Sequence, residues 1–267
     1  MERRTYLRSL GVAGLAGVAG CLDDGLAGIG SNDETVLDPP EVNRGDPSHP
    51  IHGEEFPSFS IPDPITGEMV SRDDFVGETP FVMTYFYSSC PDGACPALLL
   101  RLRRIQEDAA ERGYEDDVGL LAVTFDPERD TGETLEQYAV EQGVDLDAGN
   151  WHFLRPEGED EARAVIYEDF GMRYERVDDM DELEDGSHDA NDGDADGNES
   201  EQGSHGNETG SDHDEHDHGE YMFTHYNLIT LVNEDGIVER AYPNAIADRE
   251  DVSIETIVED TRTVVTD

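Results

Sequence analysis

A run of apolar and aromatic residues at 81–87, FVMTYFY, leads into a short loop that contains Cys90 and Cys95. A run this continuously apolar is typical of a strand that is buried on both faces. After Cys95, apolar residues recur at helical spacing until Gly113, with Pro96 near the start where a helix tolerates it. The two thiols therefore lie where a buried strand passes into a helix. Unpaired amides at a helix N-terminus lower the pKa of a thiol, which makes it a better nucleophile and a better metal ligand.

The rest of the ordered pattern alternates strands with helices, which predicts a parallel α/β core. The apolar run at 118–125 is a second buried strand, and Asn233 to Gly236 form the turn of an antiparallel hairpin near the C-terminus. Further predicted elements are an edge hairpin within 56–80, a strand at 151–154 and helices at 131–142, 157–170 and 248–264.

The formal charge of -48 arises from 65 acidic residues against 17 basic ones, and every basic residue is arginine. Such a surface repels itself at low ionic strength, but concentrated salt shortens the screening length to about 3 Å and suppresses that repulsion. The charge therefore indicates adaptation to high salt, as in a halophilic organism. It also argues against a nucleic acid as a partner.

The N-terminus has the pattern of an export signal. Arg3 and Arg4 precede a short, glycine-rich apolar stretch, and small residues lead directly to Cys21. Residues 1–21 are accordingly predicted to be a twin-arginine signal with a lipobox, in which Cys21 carries the lipid. The alternative is an ordinary cleaved signal in which Cys21 is incidental. The lipoprotein interpretation places the protein outside the cell, anchored to the outer face of the cell membrane, and predicts a flexible linker at 22–53.

Residues 178–220 contain no basic residue, few apolar residues and many acidic ones. A segment of this composition cannot bury enough apolar surface to order itself, so it is predicted to be a long, disordered acidic insertion. Its imidazoles either collect divalent metal ions loosely or serve only solubility. The histidines of the insertion are His188, His205, His213, His216 and His218.

With Cys21 taken up by lipid, Cys90 and Cys95 remain as one pair of thiols in the domain. Two cysteines this close can form a disulfide or bind a soft ion such as Cu(I) or Zn²⁺, and a third ligand would favour the metal. A disulfide that only staples an exported domain remains an alternative.

Four segments, in this order along the chain, resemble the Sco/SenC copper-chaperone family. They are TYFYSSCPDGACPALL, LLAVTFDPERDTGETLEQYAVEQGV, NWHFL and FTHYNLITLVNEDG, within a domain at 54–267. The resemblance implies a thioredoxin-like fold with a central mixed sheet flanked by helices, and copper bound by Cys90, Cys95 and His225. It also implies that Asp126 lies near the site and supports the ligands rather than the ion.

The sequence departs from the family in one respect. Residues 91–94 put four positions between the cysteines, whereas the family has three. The extra residue is expected at Gly93 or Ala94 as a bulge, because glycine accepts unusual dihedral angles. Otherwise it would rotate Cys95 by about 100° around the helix start and spoil a three-ligand site.

The resemblance implies a copper-binding metallochaperone that assists assembly of the binuclear copper centre of a haem-copper terminal oxidase, whose copper-accepting subunit is the partner. The alternative is a thiol-disulfide oxidoreductase that keeps the oxidase cysteines reduced through the redox pair Cys90 and Cys95. A third possibility is a disulfide-stapled domain whose histidine-rich insertion binds metal passively. Separately, the alternative for His225 is an ordinary hairpin residue. Asp130 is expected to cap the helix that follows it.

Overall fold

The computed structural model describes residues 34–41, 45–178 and 221–267. A five-stranded mixed sheet forms the centre, and its strand order is β5-β4-β3-β8-β9. β3 pairs in parallel with β4 and β4 with β5, whereas β8 pairs antiparallel with both β3 and β9. The five strands are β3 (Phe81–Phe86), β4 (Gly119–Thr124), β5 (Trp151–Leu154), β8 (Leu228–Val232) and β9 (Val238–Pro243).

The two central parallel strands explain the continuous apolar runs in the sequence. All six residues of β3 and all six of β4 are buried. A strand covered by helices on both faces cannot alternate apolar with polar residues, because neither face meets water. The predicted mixed sheet and its thioredoxin-like arrangement are thus confirmed.

Within the described ranges, four α-helices accompany the sheet: α1 (Ala94–Arg112), α2 (Gly132–Gln142), α3 (Glu159–Ala162) and α4 (Ile254–Thr266). The predicted helix at 157–170 is shorter than expected in its regular part, since α3 continues as a π-helix over Arg163–Asp169. The predicted helix at 248–264 begins later, because Ser253 caps α4 by accepting a hydrogen bond from the amide of Thr256. None of the helices in the described ranges is both long and apolar enough to cross a bilayer.

Two small sheets lie outside the central one. β1 (Ser60–Pro62) and β2 (Met69–Ser71) form the predicted antiparallel hairpin, but as a separate sheet rather than an edge of the central one. β6 (Tyr174–Val177) and β7 (Met222–His225) pair antiparallel, which the sequence did not indicate. This second small sheet carries His225 at its end.

The stretch predicted to be a flexible linker is bound to the domain in its described part. The amides of Val36 and Leu37 donate hydrogen bonds to the carboxylate of Glu239, at 2.8 and 2.9 Å. Glu239 is fully buried, and a buried carboxylate requires such donors. Ser48 donates a hydrogen bond of 2.6 Å to the carbonyl oxygen of Gly171. These hydrogen bonds attach residues 36, 37 and 48 to the domain, and the flexibility of 22–53 as a whole stays a prediction.

Some predictions concern residues beyond the described ranges. The export signal, the lipidated Cys21 and the first part of the linker precede residue 34. The predicted acidic insertion also lies outside the described residues, except for Asp178.

Candidate metal centre

The loop between β3 and α1 accommodates its extra residue at a glycine. Gly93 is the N-terminal cap residue of α1 and has φ 76° and ψ 4°, in the left-handed region. Glycine adopts this conformation without steric penalty. Asp92 supports the same turn, because its Oδ1 accepts hydrogen bonds from the amide of Ala94 and the thiol of Cys90, both at 2.9 Å. Gly93 thus has the unusual dihedral angles that the sequence analysis expected of a glycine in this loop.

Replacing Gly93 with alanine is expected to lower the free energy of unfolding by about 1 kcal/mol, because a Cβ disfavours positive φ. No atom lies within 4 Å of the added Cβ, so the effect isolates the backbone conformation. Gly158→Ala is the matched control, since Gly158 is extended (φ -169°) and its added Cβ also meets nothing within 4 Å. Urea denaturation of both variants checks the prediction. Equal stabilities of the two variants would contradict it.

His225 reaches the loop from the second small sheet. It is the last residue of β7 and pairs with Tyr174 of β6. Its ring packs against the rings of Tyr87 and Phe125, at centroid distances of 5.8 and 5.2 Å. Its Nδ1 lies 3.3 Å from the carbonyl oxygen of Tyr226. With an ion bound, a proton on Nδ1 donated to this carbonyl would leave the Nε2 lone pair to ligate the ion; in the metal-free protein, Nε2 can instead carry a proton and donate it to a sulfur.

The three side chains converge. His225 Nε2 lies 3.6 Å from Cys95 Sγ and 4.0 Å from Cys90 Sγ, and all three donor atoms lie within 4.8 Å of one another. Zinc-like bonds of about 2.3 Å to sulfur and 2.0 Å to nitrogen would separate S and N by about 3.5–3.7 Å, close to the two distances here, so these residues fit a single soft ion. Over residues 34–41, 45–178 and 221–267, no other group of three or more His, Cys, Asp or Glu side chains has this geometry.

The two cysteines are free thiols in unlike surroundings. Cys95 is fully buried, and its Sγ lies 3.5 Å from the amide of Tyr87. Burial, together with the neighbouring Cys90, raises the pKa of Cys95 well above its ordinary value. Cys90 is only half-buried. Hydrogen bonds from the thiol of Cys95 and from His225 lower the pKa of Cys90 to about 6, against the opposing effect of burial.

Alkylation should therefore distinguish the two thiols. The rate of reaction of Cys90 with iodoacetamide is expected to rise with pH around a midpoint of about 6, because only the thiolate attacks. An ordinary cysteine would show a midpoint near about 8.5. Cys95 should react slowly throughout, and Cys90→Ser should remove the fast phase. A fast phase with a midpoint above about 8 would contradict the assignment.

Asp126 contacts Arg129 and Tyr221 rather than the three candidate ligands. It is buried, forms an ion pair with Arg129 and accepts a hydrogen bond of 2.8 Å from the hydroxyl of Tyr221. The guanidinium carbon of Arg129 lies 5.8 Å from the centroid of the Tyr87 ring, and that ring packs against His225. Among the described residues, Asp126 is thus linked to the imidazole only through other side chains.

Asp130 does not cap α2, contrary to expectation. The cap is Thr131, whose side chain accepts a hydrogen bond from the amide of Thr134. Asp130 is instead fully buried beneath the cysteine loop. Its carboxylate accepts hydrogen bonds from the amide of Ser88, at 3.2 Å, and from the hydroxyls of Ser88 and Thr124. The sequence signal was ambiguous, because Asp130 and Thr131 are adjacent and both residue types cap helices.

Comparison with known proteins adds two findings. Residues 54–192 match the model of the SCO1/SenC family. No curated protein sequence matches the chain significantly.

Solved structures resemble the chain at low identity. A SCO1/SenC family lipoprotein from Bacillus anthracis str. Ames has 15% identity and a TM-score of 0.52, over 79% of this chain and 94% of that one. Bradyrhizobium japonicum ScoI with copper bound has 20% identity and a TM-score of 0.49, over 79% and 99%. Yeast Sco1 has 16% identity and a TM-score of 0.49, over 78% and 98%. The likeness to the Bacillus anthracis protein shows a shared fold and nothing more.

Proposed function

Because the chain belongs to the SCO1/SenC family, we propose that it is a copper-binding metallochaperone that assists assembly of the binuclear copper centre of a haem-copper terminal oxidase. The observation that carries the proposal is the convergence of Cys90, Cys95 and His225, with donor atoms within 4.8 Å of one another. Copper is the cargo of this site, and the copper-accepting oxidase subunit is the partner.

The donor set favours copper over zinc. Thiolates select soft ions, and two thiolates with one imidazole complete a site for a low-coordinate ion such as Cu(I). A structural zinc site almost always has four protein ligands, whereas a group of three His, Cys, Asp or Glu side chains is what the described residues offer here. A site with three ligands also suits a carrier, because an acceptor can add a ligand without first removing one.

Uptake and release follow from the thiol chemistry. The lowered pKa of Cys90 means that this sulfur is largely a thiolate at neutral pH, ready to bind the ion. Cys95 gives up its proton when the metal binds, which couples uptake to proton release. The acceptor removes the ion by ligand exchange, with more ligands or better-arranged ones. Cys90 and His225 are only half-buried and give the acceptor access.

The same proposal includes a location. Residues 1–21 act as a twin-arginine signal, Cys21 carries the lipid, and the domain works on the outer face of the cell membrane. The domain would thereby stand beside the extracellular copper centre that it supplies.

Copper titration followed by transfer tests the proposal. The reduced protein is expected to bind one copper ion per chain with a copper–thiolate charge-transfer band, and to transfer it to the isolated copper-binding domain of an oxidase subunit. Transfer should appear as the acceptor's own copper absorption. Copper binding without a thiolate band would contradict the proposal. Retention of copper in the presence of the apo-acceptor would also contradict it.

A second candidate function rests on the unlike thiols. A half-buried Cys90 with a pKa of about 6 beside a buried Cys95 is the arrangement of a thiol-disulfide oxidoreductase. The Cys90 thiolate would attack a substrate disulfide, and Cys95 would resolve the mixed disulfide. Cys95→Ser should then trap a mixed disulfide with an oxidised partner peptide. Failure to trap one would remove this candidate.

A further inference from the structure

The buried carboxylate of Asp130 joins the cysteine loop to the central sheet. Ser88 belongs to the loop that follows β3, whereas Thr124 is the last residue of β4. Both hydroxyls and the amide of Ser88 donate to Asp130, so one side chain receives hydrogen bonds from two neighbouring strand ends. Asp130 is fully buried, so water does not replace these donors if they are lost.

The loop has few other attachments. Between Ser88 and Gly93 it has no helical or strand structure, and Cys90 lies two residues after Ser88. Within the described residues, the amide of Ser88 is the only backbone donor of this stretch with a hydrogen bond to a residue outside it. The other end of the loop is held by α1, where the carbonyl of Gly93 accepts a hydrogen bond of 3.2 Å from the amide of Ala97. The position of the Cys90 sulfur therefore depends on both ends, and Ser88 fixes the end towards β3.

We propose that Asp130 is a positioning residue for the metal centre, fixing Ser88 so that the Cys90 sulfur lies within reach of the same ion as Cys95 and His225. This inference rests on the proposed function for its copper readout, although its redox readout does not.

A carboxylate suits this position better than any neutral side chain. It accepts all three hydrogen bonds at once, whereas an asparagine amide offers one acceptor oxygen and adds a donor. Burial and the negative charge of Asp126 raise the pKa of Asp130, whereas these hydrogen bonds lower it. The net result is a pKa of about 6, above the ordinary value of a carboxyl group.

Asp130→Asn tests the proposal with little change of volume. Its matched control is Glu239→Gln, since Glu239 is equally buried and also accepts three hydrogen bonds, from the amides of Val36 and Leu37 and the side chain of Asn233. Both variants lose a buried carboxylate, but only the first acts on the cysteine loop. Thermal unfolding of both establishes that they fold and how far stability alone changes.

Asp130→Asn is expected to weaken copper binding about ten- to a hundred-fold, the usual effect of losing a group that orients a metal ligand. The copper–thiolate band should shift in energy, because the Cys90 sulfur moves. Glu239→Gln should bind copper as the unmodified protein does. Ser88→Ala should give part of the loss, and the effects of Asp130→Asn and Ser88→Ala should be less than additive, because both remove the same contact.

The second readout uses no metal. The Cys90–Cys95 disulfide and two glutathione thiols exchange with the dithiol and one glutathione disulfide, a transfer of two electrons and two protons. We expect the equilibrium constant to change several-fold in Asp130→Asn and to stay unchanged in Glu239→Gln, because sulfur placement sets how readily the disulfide forms.

Copper affinity and glutathione equilibrium within two-fold of the unmodified protein in Asp130→Asn would overturn the proposal. Equal losses in Glu239→Gln would also overturn it, since the effect would then be general destabilisation. If the unmodified protein binds no copper through its thiolates, the proposed function fails, and the glutathione equilibrium alone decides on Asp130.

Discussion

His225→Ala is expected to weaken copper binding by more than about 100-fold, because losing a group that merely orients a ligand already costs ten- to a hundred-fold. The imidazole supplies one of three donor atoms, at 3.6 and 4.0 Å from the two sulfurs. Two thiolates alone leave the ion open to solvent and to competing chelators. Thiol-disulfide exchange should change only a few-fold, since both sulfurs remain.

Competition with a chelator of known affinity measures the loss, and exchange with glutathione gives the redox control. His152→Ala serves as the matched variant, because His152 is also a partly buried imidazole but lies by Asp63, with Nδ1 3.4 Å from the carboxylate. It should bind copper normally. An unchanged affinity in His225→Ala would remove His225 from the site. A simultaneous loss of exchange would mean that the substitution had disrupted the loop.

Phe125→Ala is expected to lower the free energy of unfolding by about 3–5 kcal/mol, the usual cost of removing a buried aromatic ring. Phe125 is 1% exposed and follows β4. Its ring stacks on Tyr174 at 4.9 Å and also contacts Phe223 and His225, at 5.3 and 5.2 Å. Its ring therefore packs the second small sheet, β6 and β7, against the central sheet. Losing it leaves a cavity under both small strands.

Urea denaturation monitored by circular dichroism measures this change. Val140→Ala is the control, because Val140 is 73% exposed on α2 and should alter stability by less than about 0.5 kcal/mol. The phenylalanine variant should also bind copper more weakly, since the imidazole loses a packing partner. A loss of less than about 1 kcal/mol would show that the small sheet is held by other contacts.

The central sheet could be predicted because its strands are buried on both faces. Continuous apolar runs such as those of β3 and β4 have few alternative interpretations, and Gly113 and Gly143 end their helices in the left-handed region as glycine does. The cysteine loop was predicted for the same reason, since it lies between a clear strand and a clear helix.

Other features depend on contacts between distant parts of the chain. β6 has the burial pattern of a half-exposed strand and pairs with β7 across residues 178–221, so no local period reveals it. The docking of residues 34–41 depends on Glu239, about 200 positions later, whose burial no local pattern indicates. Asp130 was assigned to helix capping because aspartate is a common cap residue. Its actual role as a buried hydrogen-bond acceptor depends on contacts that the local sequence does not show.

If the protein delivers copper as proposed, the unequal exposure of the two sulfurs would give that delivery a direction. Cys95 lies at the back of the site beneath Tyr87, whereas Cys90 and His225 face the surface. On the proposed function, a ligand from an acceptor would meet the more exposed Cys90 and His225 before Cys95, so the bond from the ion to Cys95 would break last. Unloading is then sequential. An acceptor that offers a single strong ligand would stall, with the ion shared between the two proteins.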